Sequence, residues 1–277
     1  MIRGAFIVCK RELAAMFLSP VALVFLGMFL LLSGFLTFMA GGFFELGQAS
    51  LDAFFMWHPW LFLFFAPAIA MRLWSSEKQS GTLEFLFTMP LPPGSAILGK
   101  FFAAWLLTGV ALLLTFPAVV TVNYLGSPDN GVIAAGYLGS WLMAGACVAV
   151  ASACSARTRH AVAGFLPAVG ILLFLLLAGW PPVANLLTPH LGERVVDAIA
   201  EMSIVTHFES MRRGVVDIRD VLYFFSIMLL GLAATRVFLR PFGGVGALNS
   251  MPALLLLALL LIGGNWIAGK IPERMDW

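Results

Sequence analysis

Charged side chains are scarce in this chain. Lys and Arg number 16 and Asp and Glu 14 among 277 residues, against 61% apolar residues and a mean hydropathy of +0.98. A soluble domain ordinarily carries about 25% charged and about 45–50% apolar residues. A shortfall this wide leaves too little polar surface to wet a globule. A water-soluble fold is excluded on this ground, and the chain reads as an all-α integral membrane protein. The net charge of +2, with no basic cluster, excludes nucleic acid as a partner.

Cysteine is nearly absent as well. Cys9, Cys147 and Cys154 stand in apolar surroundings and make no Cys-x-x-Cys pair. They read as buried, inert thiols, not as a disulfide framework or a metal knuckle. His160, His190 and His207 lie in separate loops without metal-ligand spacing. Acidic and basic groups are missing from the middle of every long apolar run, which disfavours a carrier driven by protons or sodium. The one titratable exception is His58, in Trp57-His58-Pro59-Trp60, where it reads as an interfacial histidine beside aromatic belt residues. Gly-x-Ser-x-Gly, His-Glu-x-x-His and paired carboxylates in an apolar segment are all missing, so an intramembrane enzyme is disfavoured. No cofactor is expected in this chain. A cleavable signal peptide is not expected either, because the first apolar run starts after Pro20 and is longer than a signal core.

What is present is a series of apolar runs. A span needs about 20 apolar residues to cross about 30 Å of hydrocarbon. Uncharged runs of that order occupy 21–44, 53–71, 101–128, 130–156, 161–191 and 241–269, and a shorter one, 221–235, is completed by a snorkelling Arg236. Helices are expected near 21–40, 56–73, 99–122, 132–154, 161–179, 221–239 and 252–269. With the N-terminus in the cytoplasm, the inside segments hold ten Lys and Arg (3, 10, 11, 72, 78, 100, 157, 159, 236 and 240) and the outside segments six. That is the bias expected of cytoplasmic loops.

The segments between the runs carry more information. Ile2, Phe6, Cys9, Leu13 and Met16 recur at helical spacing opposite Arg3, Lys10 and Arg11, which predicts an amphipathic helix over 2–18 in the cytoplasmic interface. In the outer segment 181–220, Glu193, Asp197 and Glu201 recur every fourth residue and predict a short surface helix. Asp217 is placed to cap the following span, with Asp220 at its third position as a helix-start residue and not an ion site. Between the second and third runs, Ser76 with Gln79 forms a possible capping box for a short helix that Pro90, Pro92 and Pro93 stop. Leu83, Leu86 and Phe87 share one face of it, with Glu77, Lys78 and Glu84 free for solvent or a partner. Such a helix either docks in a groove of a cytoplasmic protein or is an ordinary interfacial loop helix, and the residues alone leave both open. The nearby Gly94–Lys100 stretch fits Gly-x-x-x-x-Gly-Lys, but Phe101 stands where Ser or Thr would hold magnesium, and prolines replace the preceding strand. ATP hydrolysis by this chain alone is therefore not expected.

Glu77, Gly81-Thr82-Leu83-Glu84, Leu86-Phe87, Pro90 and Gly99-Lys100, in that order, resemble the ABC-2 type permease family. A second block, from His207-Phe208-Glu209-Ser210 through Arg213-Gly214 to Asp217-Ile218-Arg219-Asp220-Val221, is similar to its gliding-motility GldF-like branch, with NosY-like permeases as relatives. The resemblance covers about residues 1–240 and implies a six-span permease domain with an N-terminal elbow helix. It implies a dimer in the bacterial cytoplasmic membrane, paired with a separate ATPase that would bind ATP and magnesium. It places Glu77, Gly81, Thr82, Glu84, Leu86 and Pro90 on a coupling helix against that ATPase, with close approach at Gly81 and helix termination at Pro90. Residues 241–277 depart from the pattern. Their apolar run is similar to the first span of a GldG-like auxiliary subunit, so a seventh span ending outside is expected. The function implied is membrane coupling of ATP hydrolysis to export or mechanical work, with a structural scaffold of a secretion or motility machine as the alternative.

Overall fold

The computed structural model describes residues 2–43, 45, 49–88 and 92–239, with backbone alone at 86–88, 93, 191, 194 and 198. The expected seventh span at 252–269 lies outside the described residues, as does Pro90. Among the described residues every regular element is helical, and five helices are long and apolar enough to cross a bilayer. A sixth is made if one bent pair counts as a single span.

α1 (Ile2–Leu18) precedes α2 (Pro20–Phe35), which Pro20 starts at a position where its missing N–H costs nothing. α2 ends in a π-helical turn at Leu36–Ala40. After α3 (Asp52–Phe55), α4 (His58–Ala70) runs directly into α5 (Arg72–Ser80), so the second span continues well past its predicted end. α6 (Leu83–Thr88) follows, and then α7 (Pro93–Leu114) and α8 (Phe116–Leu125) make one long span with a break at Thr115. α9 (Asn130–Arg157) is the centre of the bundle, lying against α4, α7, α10, α13 and α14.

The fifth span differs from expectation. α10 (Ala161–Leu177) stops before Gly179, and α11 (Pro181–Leu191) leaves at a bend of 79°. Pro181 and Pro182 cannot continue the helical ladder, so the uncharged run is broken although its composition is uniform. α12 (Glu193–Ala200) is the short helix the acidic repeat predicts, and α13 (Ile204–Arg212) leads into α14 (Ile218–Phe238), the last described span.

Close helix approach is built from small residues. A Cβ at Gly231 of α14 would fall 2.6 Å from the Ala149 carbonyl carbon of α9, and one at Gly99 of α7 would fall 2.8 Å from the Ala5 oxygen of α1. Without a hydrophobic drive between helices in lipid, such approach provides the dispersion contacts that hold spans together. Trp105 on α7 stacks on Trp141 of α9 at 4.4 Å and donates its indole N–H to the Trp141 carbonyl at 2.8 Å. Leu31, Leu113, Phe174 and Leu229 point outward with more than half of their surface exposed, as lipid-facing positions should.

One reading of a single residue is corrected and another is extended. His58 is not in an interfacial belt but wholly buried among Phe29, Phe54, Phe55 and Phe62. The Ser140 hydroxyl donates to the Gly136 carbonyl, so His58 Nδ1–H must donate to Ser140 Oγ, at 2.7 Å. Asp220 is more than a helix-start residue. Asp217 makes the cap, accepting from the Arg219 N–H, while Asp220 is buried and accepts from His207 Nδ1 at 2.7 Å. His207 Nε2 faces the Glu201 carbonyl and its ring stacks on Tyr223 at 3.8 Å. The block from 207 to 221 thus ties α13 to α14, with Arg212 reaching Asp52 at 3.4 Å.

Candidate functional site

The site grows from the junction of α4 and α5. Met71 keeps helical angles, so α5 needs no cap of its own, and Ser76 sits in its interior with its hydroxyl donating to the Arg72 carbonyl. The capping box expected at Ser76 and Gln79 is therefore not formed. The junction is secured from outside instead. Ser155 of α9 donates to the Met71 carbonyl at 2.8 Å and accepts the N–H groups of Trp74 and Ser75, inserting its hydroxyl into the helix ladder. One turn earlier, Ser152 accepts the indole N–H of the fully buried Trp74 at 3.0 Å, and Thr235 of α14 donates to the same hydroxyl. Lys78 donates to the Ala156 carbonyl at the end of α9. α5 is bonded along its length to the central helix.

A second set of contacts ties α5 to α7 and α1. Lys100 Nζ lies 2.7 Å from Glu77 Oε1 and 3.2 Å from Glu12 Oε1, and 5.4 Å from the centre of the Trp74 ring. Only 4% of the Lys100 side chain and 17% of each glutamate is exposed. Gly99 permits this, because any side chain there would strike Val8 and the Ala5 carbonyl of α1. The Gly94–Lys100 stretch forms the opening turns of α7, so its lysine serves an ion cluster and not a phosphate loop. Arg11 completes the group, donating to Glu12 at 2.8 Å.

Burial pushes the Glu12 carboxyl up, but Lys100 and Arg11 pull it down further, leaving it below its ordinary 4.5. A depressed carboxyl stabilises the fold above its unfolded pKa and loses that stabilisation as pH falls through the folded value. Thermal unfolding in detergent should therefore be insensitive to Glu12 from pH 7 to about 5 and should weaken below about 4.5. Glu12→Gln should reduce that acid-side loss relative to the parent chain, and parallel curves for the two proteins would refute the assignment.

Beyond Ser80 the surface changes character. Gly81 has φ +72°, closing α5 with a left-handed cap whose N–H bonds to the Glu77 carbonyl, and a side chain placed there would meet no atom within 4 Å of its Cβ. The backbone hand alone favours glycine there. Thr82 and Glu84 are exposed, and Phe85 exposes 70% of its surface. Of the residues expected at a partner, Gly81, Thr82 and Glu84 lie together on this exposed end. Glu77 faces inward to Lys100, and Leu86 lies on the backbone of α6.

Glu12, Trp74, Lys100, Ser152 and Ser155 were not among the expected site residues. A lone lysine at the mouth of an apolar run and a Ser-x-x-Ser pair inside one were the signals available, since polar groups in such places need partners.

Residues 55–178, from the end of α3 through α10, match the model of the family described as CcmB protein. The matched segment contains α5, α6 and the whole of α9, and together with the apolar spans it supports an ABC transporter permease. A comparison with curated proteins returned no match.

Proposed function

We propose that this chain is the membrane-spanning subunit of an ABC transporter, in which α6 and the Gly81–Glu84 turn receive the movements of a separate ATPase. On this reading α1, α5 and α6 face the cytoplasm of a bacterial cell, two permease copies pair, and ATP and magnesium are handled by the partner. The observation that carries it is the contrast along one short stretch. The exposed Glu84 and Phe85 of α6 follow directly on an α5 that is hydrogen-bonded to α9 and ion-paired to α7. A load applied at α6 reaches α9 through buried contacts, and α9 touches most other spans. Two-state rearrangement of packed helices is how such a load would move cargo or do mechanical work. The likeness of the 207–221 block to the gliding-motility branch supports the finer assignment.

Glu84→Arg tests the contact. The exposed carboxylate becomes a cation without disturbing the braced α5. Recovery of the ATPase with the affinity-tagged chain should fall about tenfold while membrane insertion is unchanged. Undiminished recovery, or a chain from native membranes that brings down no ATPase at all, would count against the proposal.

A further inference from the structure

A cavity of about 340 Å³ opens between α1, α2, the α4–α5 junction and α7. That lies within the range of about 300–1,000 Å³ in which proteins hold small ligands. Its wall is divided chemically. Glu12, Arg72, Glu77 and Lys100 line the end next to α1, whereas Phe25, Ile69 and Leu107 line the end toward the bundle middle. Those three apolar residues also line a second void of about 10 Å³ beside Phe29 and Phe62, room for no more than one water.

The charged end is incompletely matched by the described residues. Lys100 is engaged by Glu12 and by Glu77 Oε1, but Glu77 Oε2 is buried with no hydrogen-bond partner among the described residues. A buried carboxylate oxygen without a donor is costly, so it marks a place where a donor from outside the chain fits. Arg72 lines the same cavity, is exposed, and has no acidic partner among the described residues. A ligand that satisfies both carries an N–H cation and an anionic group side by side, joined to an apolar tail. α1 is an amphipathic helix at the end of the apolar spans, which places the polar end of the cavity at headgroup depth and the apolar end in hydrocarbon.

We propose that this cavity binds a phospholipid with a primary ammonium headgroup, of the phosphatidylethanolamine type. Its ammonium donates to Glu77 Oε2, its phosphate lies beside Arg72, and an acyl chain follows Phe25, Ile69 and Leu107. The donor requirement sets the selectivity. A choline headgroup has the same two charges but no N–H, and a glycerol headgroup brings an anion to two carboxylates with no cation of its own.

The test uses the full chain in nanodiscs containing equal parts of phosphatidylethanolamine, phosphatidylcholine and phosphatidylglycerol, with retained lipid counted by native mass spectrometry after transfer to detergent. The ethanolamine lipid should be retained about tenfold over the choline lipid, the discrimination a hydrogen bond to a charged group provides. Glu77→Gln should erase most of that preference. Ala15→Trp, on an exposed part of the wall one helical turn from Glu12, should lower retention of all three, and it decides the question if the Gln variant does not fold. Equal retention of the three lipids by the parent chain, an unchanged preference in Glu77→Gln, or undiminished retention in Ala15→Trp overturns the proposal. Displacement by soluble phosphoethanolamine would assign the cavity to a free headgroup and overturn the lipid. No ATPase is needed, so the outcome is independent of the transporter reading.

Discussion

Lys100→Met is expected to be the most damaging single substitution at the N-terminal end of the bundle, costing about 3–5 kcal/mol. Methionine keeps most of the volume but leaves Glu12 and Glu77 facing one site without their shared cation, in a place that exposes 4% of the lysine side chain. Removing one member of a buried ion group costs far more than replacing the whole group by neutral residues. The triple variant Lys100→Met, Glu12→Gln, Glu77→Gln should therefore recover much of the loss, even though it carries more changes. Thermal unfolding of the parent and these variants in the same detergent measures this, and a Lys100→Met chain as stable as its parent would show that the cluster contributes nothing to the fold.

Gly231→Val should rank next, at about 1–3 kcal/mol or somewhat more. The new Cβ would meet the carbonyl carbon and oxygen of Ala149 at 2.6 and 2.7 Å, and both are backbone atoms of the central helix. That helix cannot yield easily, since Trp105 and Met228 press on it at Gly145 and Met211 at Gly139. Gly27→Val is the matched control, because nothing lies within 4 Å of a Cβ there. It should fall within about 0.5 kcal/mol of the parent chain. Equal effects of the two valines on unfolding temperature would mean that α9 and α14 do not pack at this register.

The contrast between what could and could not be read from the residues follows from range. The spans were legible because a bilayer demands about 20 apolar residues whatever the neighbours are. The helix over 2–18, the acidic helix near 193–200 and the Asp217 cap were legible because period and caps are local. His58 was misjudged for the opposite reason. Trp57 and Trp60 beside it suggest a membrane surface, but its hydrogen-bond partner Ser140 is 82 residues away on α9. Asp220 looked like one more helix-start acid until the reversal between α13 and α14 brought His207 beside it. The 79° bend after α10 was hidden in a run that is apolar on both sides, with only Gly179, Pro181 and Pro182 to mark it. For the candidate site, the motif singles out Thr82 and Glu84, which the structure leaves exposed, but the inward turn of Glu77 depends on Lys100 arriving from the next span.

The backbone reversal at Gly81 has a mechanical consequence. On the coupling proposed above, a single left-handed residue between two short helices would pass thrust along the chain but resist torque poorly, because among the described residues no atom lies within 4 Å of a Cβ built there. A partner pressing on α6 from a slightly wrong angle would spend the misalignment on rotation about that one residue. What arrived at Ser155 and Lys100 would be the axial component of the push alone.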